Sequence, residues 1–307
     1  MSKGILEQIK EVIQPQVPLW ACELTSKHLI VAGVSKGRNR VEGRWTQELP
    51  QGSVLGSLAD PNIVNPGAVR AGLNEALRHA GVKGSEITVV VPDEAARIAF
   101  LTAENLSKDL EERRAFIRWK LKKTVPFDVD SAQVAFRILG PHHASDELSS
   151  KDAGEDILVA LSPRSVIEEY ERLFESAELH AGFVLPSTLA ALNLFNPPAA
   201  DSLFVKLAAD CVTTSVFQQR RMQFCRRVTD MSLYDAVYQT VLYYQDKLGG
   251  NQFQQLFVCE YDSDSGSSVS ELEEKLGLRA QRLGPKNIDD ILKPALGAVH
   301  LAQTEVM

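Results

Sequence analysis

Hydrophobic and polar positions follow two alternating periods along this chain, and the order in which the periods change occurs twice. Apolar runs of strand length occupy 19–24, 28–34 and 41–49, separated by turn-sized gaps, the second containing Gly37-Arg38-Asn39. Helical spacing follows Pro66 through Val69, Leu73, Ala76 and Leu77 to Gly81, and 87–91 is then an uninterrupted apolar strand. The same β-β-β-α-β order returns with strands at 202–208, 213–218 and 221–228, a helix at 233–248 ending in Gly249-Gly250, and a strand at 255–259. Two copies of one order in 307 residues predict an α/β protein of two related lobes with a cleft between them. Lobe 1 is expected over residues 1–195 and lobe 2 over 196–307, with Asn196-Pro197-Pro198-Ala199-Ala200 as the linker.

Between the copies lies an expected inserted subdomain of mixed α and β structure, about 92–155. It holds a strand at 96–101, a basic helix, a strand at 132–139 and a polar loop over about 140–155 that is expected to be flexible. The strand at 156–161, a helix at 163–178 and the segment 181–195 are expected to return to lobe 1. Helices at 271–275 and 294–302 close the chain, and a last helix over 294–304 is a candidate to pack back onto lobe 1. Near the start, Ile5, Leu6, Ile9, Val12 and Ile13 recur at helical spacing before Pro15. Lys3 and Lys10 are balanced there by Glu7 and Glu11, so docking on protein is favoured over lying on a membrane.

The basic helix of the insert is the most informative element. Ala115, Phe116 and Trp119 fall on one side, Ile117 and Leu121 on another, and Arg114, Arg118 and Lys122 form a stripe at i, i+4, i+8 before a stop at Val125-Pro126-Phe127. A helix that only covers its own core shows a single apolar stripe. The doubled pattern fits a helix packed on one side and offered to a partner on the other; the alternative is that another part of the same domain closes the second side. Arg118, Trp119, Lys122, Lys123 and Phe127 are the candidate partner-binding residues, since Trp and Arg most often dominate binding energy. Asp109, Glu111 and Glu112 open the helix, where charge also complements its dipole, so part of the pattern is structural.

Composition narrows the function classes. Hydrophobic content of 44% and charged content of 24% exclude general disorder, and a net charge of -7 argues against a nucleic-acid binder. Cys22, Cys211, Cys225 and Cys259 stand far apart without metal-ligand spacing, as expected of buried free thiols in a reducing cytoplasm. No apolar stretch reaches the length of a membrane span and no signal peptide opens the chain, so a cytoplasmic location is expected. The common phosphate-loop, dinucleotide, nucleophile-elbow and zinc motifs are absent from the sequence. His142-His143 and Asp262-Ser263-Asp264-Ser265-Gly266 read as solvated loops rather than metal sites. No catalytic residue and no metal ligand is assigned.

Ala96-Arg97, Glu111-Glu112-Arg113, Arg118-Trp119-Lys120 and Val125-Pro126-Phe127-Asp128, with Phe224-Cys225-Arg226-Arg227 and Tyr243-Tyr244-Gln245 further on, carry a family resemblance. The chain resembles the PilM family of type IV pilus assembly proteins, which has the actin-like fold and is related to the cell-division protein FtsA. The resemblance implies duplicated RNase H-like lobes with an insert in lobe 1. It implies a scaffold held at the inner face of the cytoplasmic membrane by protein partners. The first of these is the short N-terminal tail of a PilN-like inner-membrane protein, bound in a groove beside the insert; other pilus assembly proteins are further partners.

The same fold normally holds ATP with magnesium between its lobes, and here the sequence departs from the family pattern. The first phosphate hairpin, Asp-x-Gly followed by a hydroxyl residue, stands as Glu23-Leu24-Thr25-Ser26; the second Asp-x-Gly stands as Lys206-Leu207-Ala208. A glycine lets the backbone approach a phosphate and the aspartate helps place the metal, so both roles are weakened. Cys259-Glu260 replaces a Gly-Gly on the adenosine side, and Arg226-Arg227-Val228-Thr229-Asp230 runs almost directly into the next helix where relatives insert a subdomain that covers the adenine. Glu23, Thr25, Ser26, Lys206, Thr213 and Thr214 are what the resemblance leaves of a nucleotide cleft, and no cofactor is expected. Two other readings stay open. One is an ATP-binding member of the fold using Thr25, Ser26, Lys27, Lys206, Thr213 and Thr214; the other is the cytoplasmic actin-like platform of a type II secretion system, against which the missing membrane span speaks.

Overall fold

The computed structural model describes residues 16–141, 154–208, 211–260, 266–284 and 288–305. The expected N-terminal helix, His142-His143, most of the expected loop at 140–155 and residues 262–265 of the acidic turn lie outside the described residues.

Lobe 1 is built on β1 (Trp20–Leu24), β2 (His28–Val34), β3 (Val41–Glu48), α1 (Pro66–Ala80) and β4 (Glu86–Val91). Asn65 starts α1 by accepting the Ala68 N–H, Pro66 occupies the first turn, and Gly81 ends it at φ 71°, a left-handed position that favours glycine. Val69, Leu73 and Ala76 of α1 pack on Trp20, Cys22, Leu24, Leu29 and Val31 of the sheet.

After β4 and a short turn at Asp93–Ala95 come β5 (Arg97–Ala103), α2 (Leu110–Leu121), β6 (Gln133–Pro141) and β7 (Glu155–Ser162). The strand expected at 156–161 to rejoin lobe 1 instead belongs to the insert. β7 lies between β5 and β6, pairing Leu161 with both Arg97 and Val134. The reason is burial: Ile157, Val159 and Leu161 alternate along β7 and share a core with Ile117 and Leu121 of α2. The insert therefore runs through Ser162 rather than ending near 155. Its helix also ends earlier than the Val-Pro-Phe stop, at Leu121, where the Thr124 N–H bonds the Leu121 carbonyl.

α3 (Arg164–Glu175), β8 (His180–Pro186) and α4 (Ser187–Leu192) complete the first half, giving a sheet in the order β3-β2-β1-β4-β8. Lobe 2 repeats the plan with β9 (Ser202–Leu207), β10 (Val212–Gln218), β11 (Arg221–Val228), α5 (Leu233–Lys247), β12 (Gln255–Glu260), α6 (Gly266–Leu276) and β13 (Ala280–Arg282). Its sheet runs β11-β10-β9-β12-β13, the same order as in lobe 1, with β13 as a fifth strand that the sequence pattern did not suggest. Only Thr229, Asp230, Met231 and the cap Ser232 separate β11 from α5, which leaves no room for a covering subdomain.

Apolar packing joins the halves at two places among the described residues. α7 (Lys293–Glu305), the last element, lies on the face of the lobe 1 sheet opposite α1, where Ala295, Leu296, Ala298 and Val299 meet Ala21, Ile30, Ala32, Val34 and Val90. On the insert side, Phe100 and Leu158 pack against a cluster holding Ala191, Phe204 and Phe217.

Candidate functional site

The cleft between the lobes is where strand ends converge, as ligand sites in α/β sheets do. Glu23 comes from β1, Asp93 from the turn after β4, Ser187 and Thr188 from the start of α4, and Lys206 and Thr213 from the paired strands β9 and β10 of lobe 2. Lys206 Nζ lies 2.9 Å from Asp93 Oδ2, with the two side chains 2% and 3% exposed. Asp93 Oδ1 accepts the Thr188 N–H at 2.7 Å, and Oδ2 accepts the hydroxyls of Thr188 at 2.6 Å and Thr213 at 3.3 Å. The Ser187 hydroxyl donates to Glu23 Oε1.

Burial alone would raise the Asp93 carboxyl and lower the Lys206 ammonium. The partner charge outweighs burial in both: Lys206 and the Thr188 bonds hold Asp93 below the usual carboxylate range, while Asp93 and then Glu23 push Lys206 up. The two form a charged pair across the lobes, buried at the floor of a cavity.

Glu23, Thr25, Ser26, Lys27 and Lys206 line a cavity of about 330 Å³ above this pair, with Leu24, Leu55 and Pro92 as its apolar wall. The Thr25 hydroxyl is engaged inside its own hairpin, accepting the N–H groups of Lys27 at 3.3 Å and His28 at 2.8 Å. Thr214 turns away from the cleft to meet the Thr240 hydroxyl at 2.7 Å under α5, so it serves the lobe 2 core. Cys259 is buried and Glu260 is tied to Arg282 at 2.7 Å. Burial first of all pushes the Cys225 and Cys259 thiols up to about 12, which leaves neither reactive at neutral pH.

Asp93, Ser187 and Thr188 were not among the residues expected from sequence. Their signal is positional: Pro92-Asp93 follows a buried strand, and Pro186-Ser187-Thr188 stands at a strand-to-helix junction.

The insert residues separate into three groups. Trp119 is 68% exposed on the outer side of α2, 6.2 Å from the Phe116 ring and with Lys120 Nζ 5.1 Å from its own ring. Lys123 is exposed, and Lys122 is exposed but ion-paired with Asp130 at 2.8 Å. Arg118 is half-buried, donating to the Ala132 carbonyl at 3.2 Å, and Phe127 packs into the insert core. Ile117 and Leu121 turn inward and Trp119 outward, but Phe116, expected on the side of Trp119, packs against the insert core with Ile117 and Leu121.

None of the five lines the groove that runs between insert and lobe 1. That groove, about 150 Å³, is formed by Val134, Ala135 and Ala160 of the insert against Val91, Ile167 and Val184 of lobe 1. β6 is an edge strand of the three-stranded sheet, so one side of its main chain faces away from β7.

No protein-family model matches the chain, and no curated protein matches it in sequence. Among solved structures it is similar to the PilM–PilN type IV pilus biogenesis complex, with a TM-score of 0.72 at 14% identity over 95% of this chain and 100% of that one. It is also similar to a Bacteroides thetaiotaomicron protein described as having the actin-like ATPase fold and unknown function, at a TM-score of 0.56, 11% identity and 94% and 98% coverage. Identities this low speak to architecture, and the architecture agrees with the resemblance read from the residues: the chain has the actin-like α/β fold, PilM-like over nearly its whole length.

Proposed function

We propose that this chain is a non-enzymatic scaffold of type IV pilus assembly that binds the N-terminal cytoplasmic tail of a PilN-like inner-membrane protein and no longer binds nucleotide. The reading is carried by one combination. A PilM-like architecture has an apolar groove open beside its insert and an inter-lobe cleft in which the buried Lys206 is already paired with Asp93.

Mg-ATP does not fit the cleft as built. Magnesium needs oxygen ligands in near-octahedral array, and both Asp93 oxygens are engaged by Lys206, Thr188 and Thr213. A phosphate entering here meets a Lys206 ammonium already paired with Asp93 and the Glu23, Glu94 and Asp230 carboxylates, against which Lys27 at the rim is a single further positive charge.

The groove suits an extended apolar tail, which would take main-chain bonds from the β6 edge and seat side chains on Val134, Ala135 and Ala160. Among the described residues no helix is long and apolar enough to cross a membrane, so attachment to the inner face of the membrane would come from the partner.

Calorimetric titration with the N-terminal tail peptide of a candidate PilN-like inner-membrane protein tests the reading. Ala135→Arg fills the groove from an exposed position, and is expected to fold normally and bind at least about tenfold more weakly. Trp119→Ala is expected to keep stability within about 0.5 kcal/mol, because its side chain is mostly in water. Loss of binding in Trp119→Ala and Lys123→Glu with full binding by Ala135→Arg would move the tail to the outer face of α2. A wild-type chain that ignores the peptide ends the proposal.

A further inference from the structure

We propose that the outer face of α2 is a weak docking surface for an anionic lipid bilayer, with the Trp119 ring entering the headgroup layer and Lys120, Lys122 and Lys123 lying over its negative charge. The proposal rests on the tail-binding reading only for what brings the chain to a membrane. It goes beyond that reading by giving the chain a contact of its own there.

Charge along α2 is segregated. Asp109, Glu111 and Glu112 stand at its start, whereas 113–127 carries six cations, from Arg113 to Lys123, and no acid. The cations then divide by type. The three arginines are engaged within the insert: Arg113 donates to the Ser107 carbonyl, Arg114 pairs with Glu111 at 2.6 Å, and Arg118 donates to the Ala132 carbonyl. The three lysines are exposed. Lys122 meets Asp130 in a surface pair of the kind that contributes little. Lys120 lies over the Phe116 and Trp119 rings at 5.7 and 5.1 Å, and neither it nor Lys123 is ion-paired among the described residues.

That division selects the ligand. Protein interfaces are enriched in arginine and depleted in lysine, whose compact ammonium is strongly hydrated. A bilayer surface instead attracts lysine as a point charge while leaving it in water, and each basic residue near it strengthens binding about fivefold. Trp119 is the matching apolar part. At 68% exposure it is the most exposed large hydrophobic side chain among the described residues, and tryptophan favours the headgroup level, where its ring is half apolar and its N–H stays wet. The chain as a whole carries a net charge of -7, so the same bilayer repels the rest of the molecule and only the basic face approaches. One such patch holds weakly, and therefore adds to attachment through a partner instead of replacing it.

The experiment floats the full chain with vesicles of phosphatidylcholine alone and of phosphatidylcholine mixed equally with phosphatidylglycerol, at low and high salt. Wild type, Trp119→Ala and Lys120→Glu/Lys123→Glu are compared, and circular dichroism checks that each is folded, as expected for exposed positions. Wild type is expected to bind only the anionic vesicles, with a blue shift of its tryptophan emission, and to release them at high salt. The charge reversal is expected to weaken binding at least about tenfold. Trp119→Ala is expected to weaken it less and to abolish the blue shift. The proposal is overturned if wild type ignores the vesicles, binds neutral ones as well, or binds without a blue shift. Anionic binding as tight in either variant as in wild type overturns it too. Polyglutamate is a second probe: a wild-type chain that binds it and not the vesicles has an acidic protein partner at this face, and no membrane. No tail peptide enters the experiment, so the two readings fail separately: a chain that ignores the tail peptide ends the proposed function and leaves the vesicle result standing.

Discussion

Asp93→Ala is expected to destabilise the protein by about 3 kcal/mol, the low end of the cost of taking one member from a buried ion pair. The loss is large because Lys206 stays enclosed and charged, and the Thr188 N–H and the Thr188 and Thr213 hydroxyls lose their acceptor. It is not larger because Glu23 keeps a second carboxylate near the ammonium. Asp93→Leu combined with Lys206→Met removes both charges, and is expected to recover most of the loss. Urea denaturation of the three proteins measures this; equal midpoints for wild type and Asp93→Ala would contradict it.

The same pair sets a pH dependence. Asp93 titrates lower in the folded chain than in the unfolded one, so its contribution is full above the ordinary aspartate range and disappears as pH falls through the folded value. Lys206 titrates higher when folded, so its contribution is full below the ordinary lysine range and is lost as pH rises through the raised value. Stability from the pair is therefore flat across neutral pH, and Asp93→Ala is expected to flatten the acid limb of the wild-type profile.

Gly297→Leu is expected to cost about 3 kcal/mol or more. A Cβ on Gly297 would stand 2.0 Å from the Ala190 carbonyl oxygen and 2.9 Å from its carbon, and both are backbone atoms of α4 that no rotamer change can move. The helices must part, which withdraws Ala295, Leu296, Ala298 and Val299 from Ala21, Ile30 and Ala32 and wets one face of the lobe 1 sheet. Gly297→Ala already meets this clash, so the two variants together distinguish close approach from simple loss of helix space. Thermal melts matching wild type in both would show that α7 does not need that contact.

The parts of the fold that were legible in the sequence are those written as local periodicity. The switch from period two to helical spacing and back marked both β-β-β-α-β units, and turn residues such as Gly81 marked their ends. Strand pairing is not local, and so β7 was assigned to the wrong sheet: its alternation of Ile157, Val159 and Leu161 says that one face is buried, but not against what. The doubled apolar pattern of α2 correctly separated Ile117 from Trp119, whereas the reach of Arg118 to the Ala132 carbonyl depends on how the following turn folds back. In the cleft, Lys206 stood out as a break in an expected motif. Asp93 did not, because an acidic residue after a proline has no pattern of its own and its partner lies 113 residues away.

The central claim is a scaffold that binds its partner without nucleotide, and it is tested most directly by one calorimetric series on the wild-type chain with Mg-ATP and the tail peptide added separately and together. The account predicts saturable binding of the peptide with no nucleotide present, unchanged by Mg-ATP, and no binding of Mg-ATP itself. A ligand at a hundred times its dissociation constant raises folding stability by about 2.7 kcal/mol, so a companion thermal melt would reveal genuine nucleotide binding. Saturable micromolar binding of Mg-ATP, or peptide binding that begins only after Mg-ATP is added, would contradict the account.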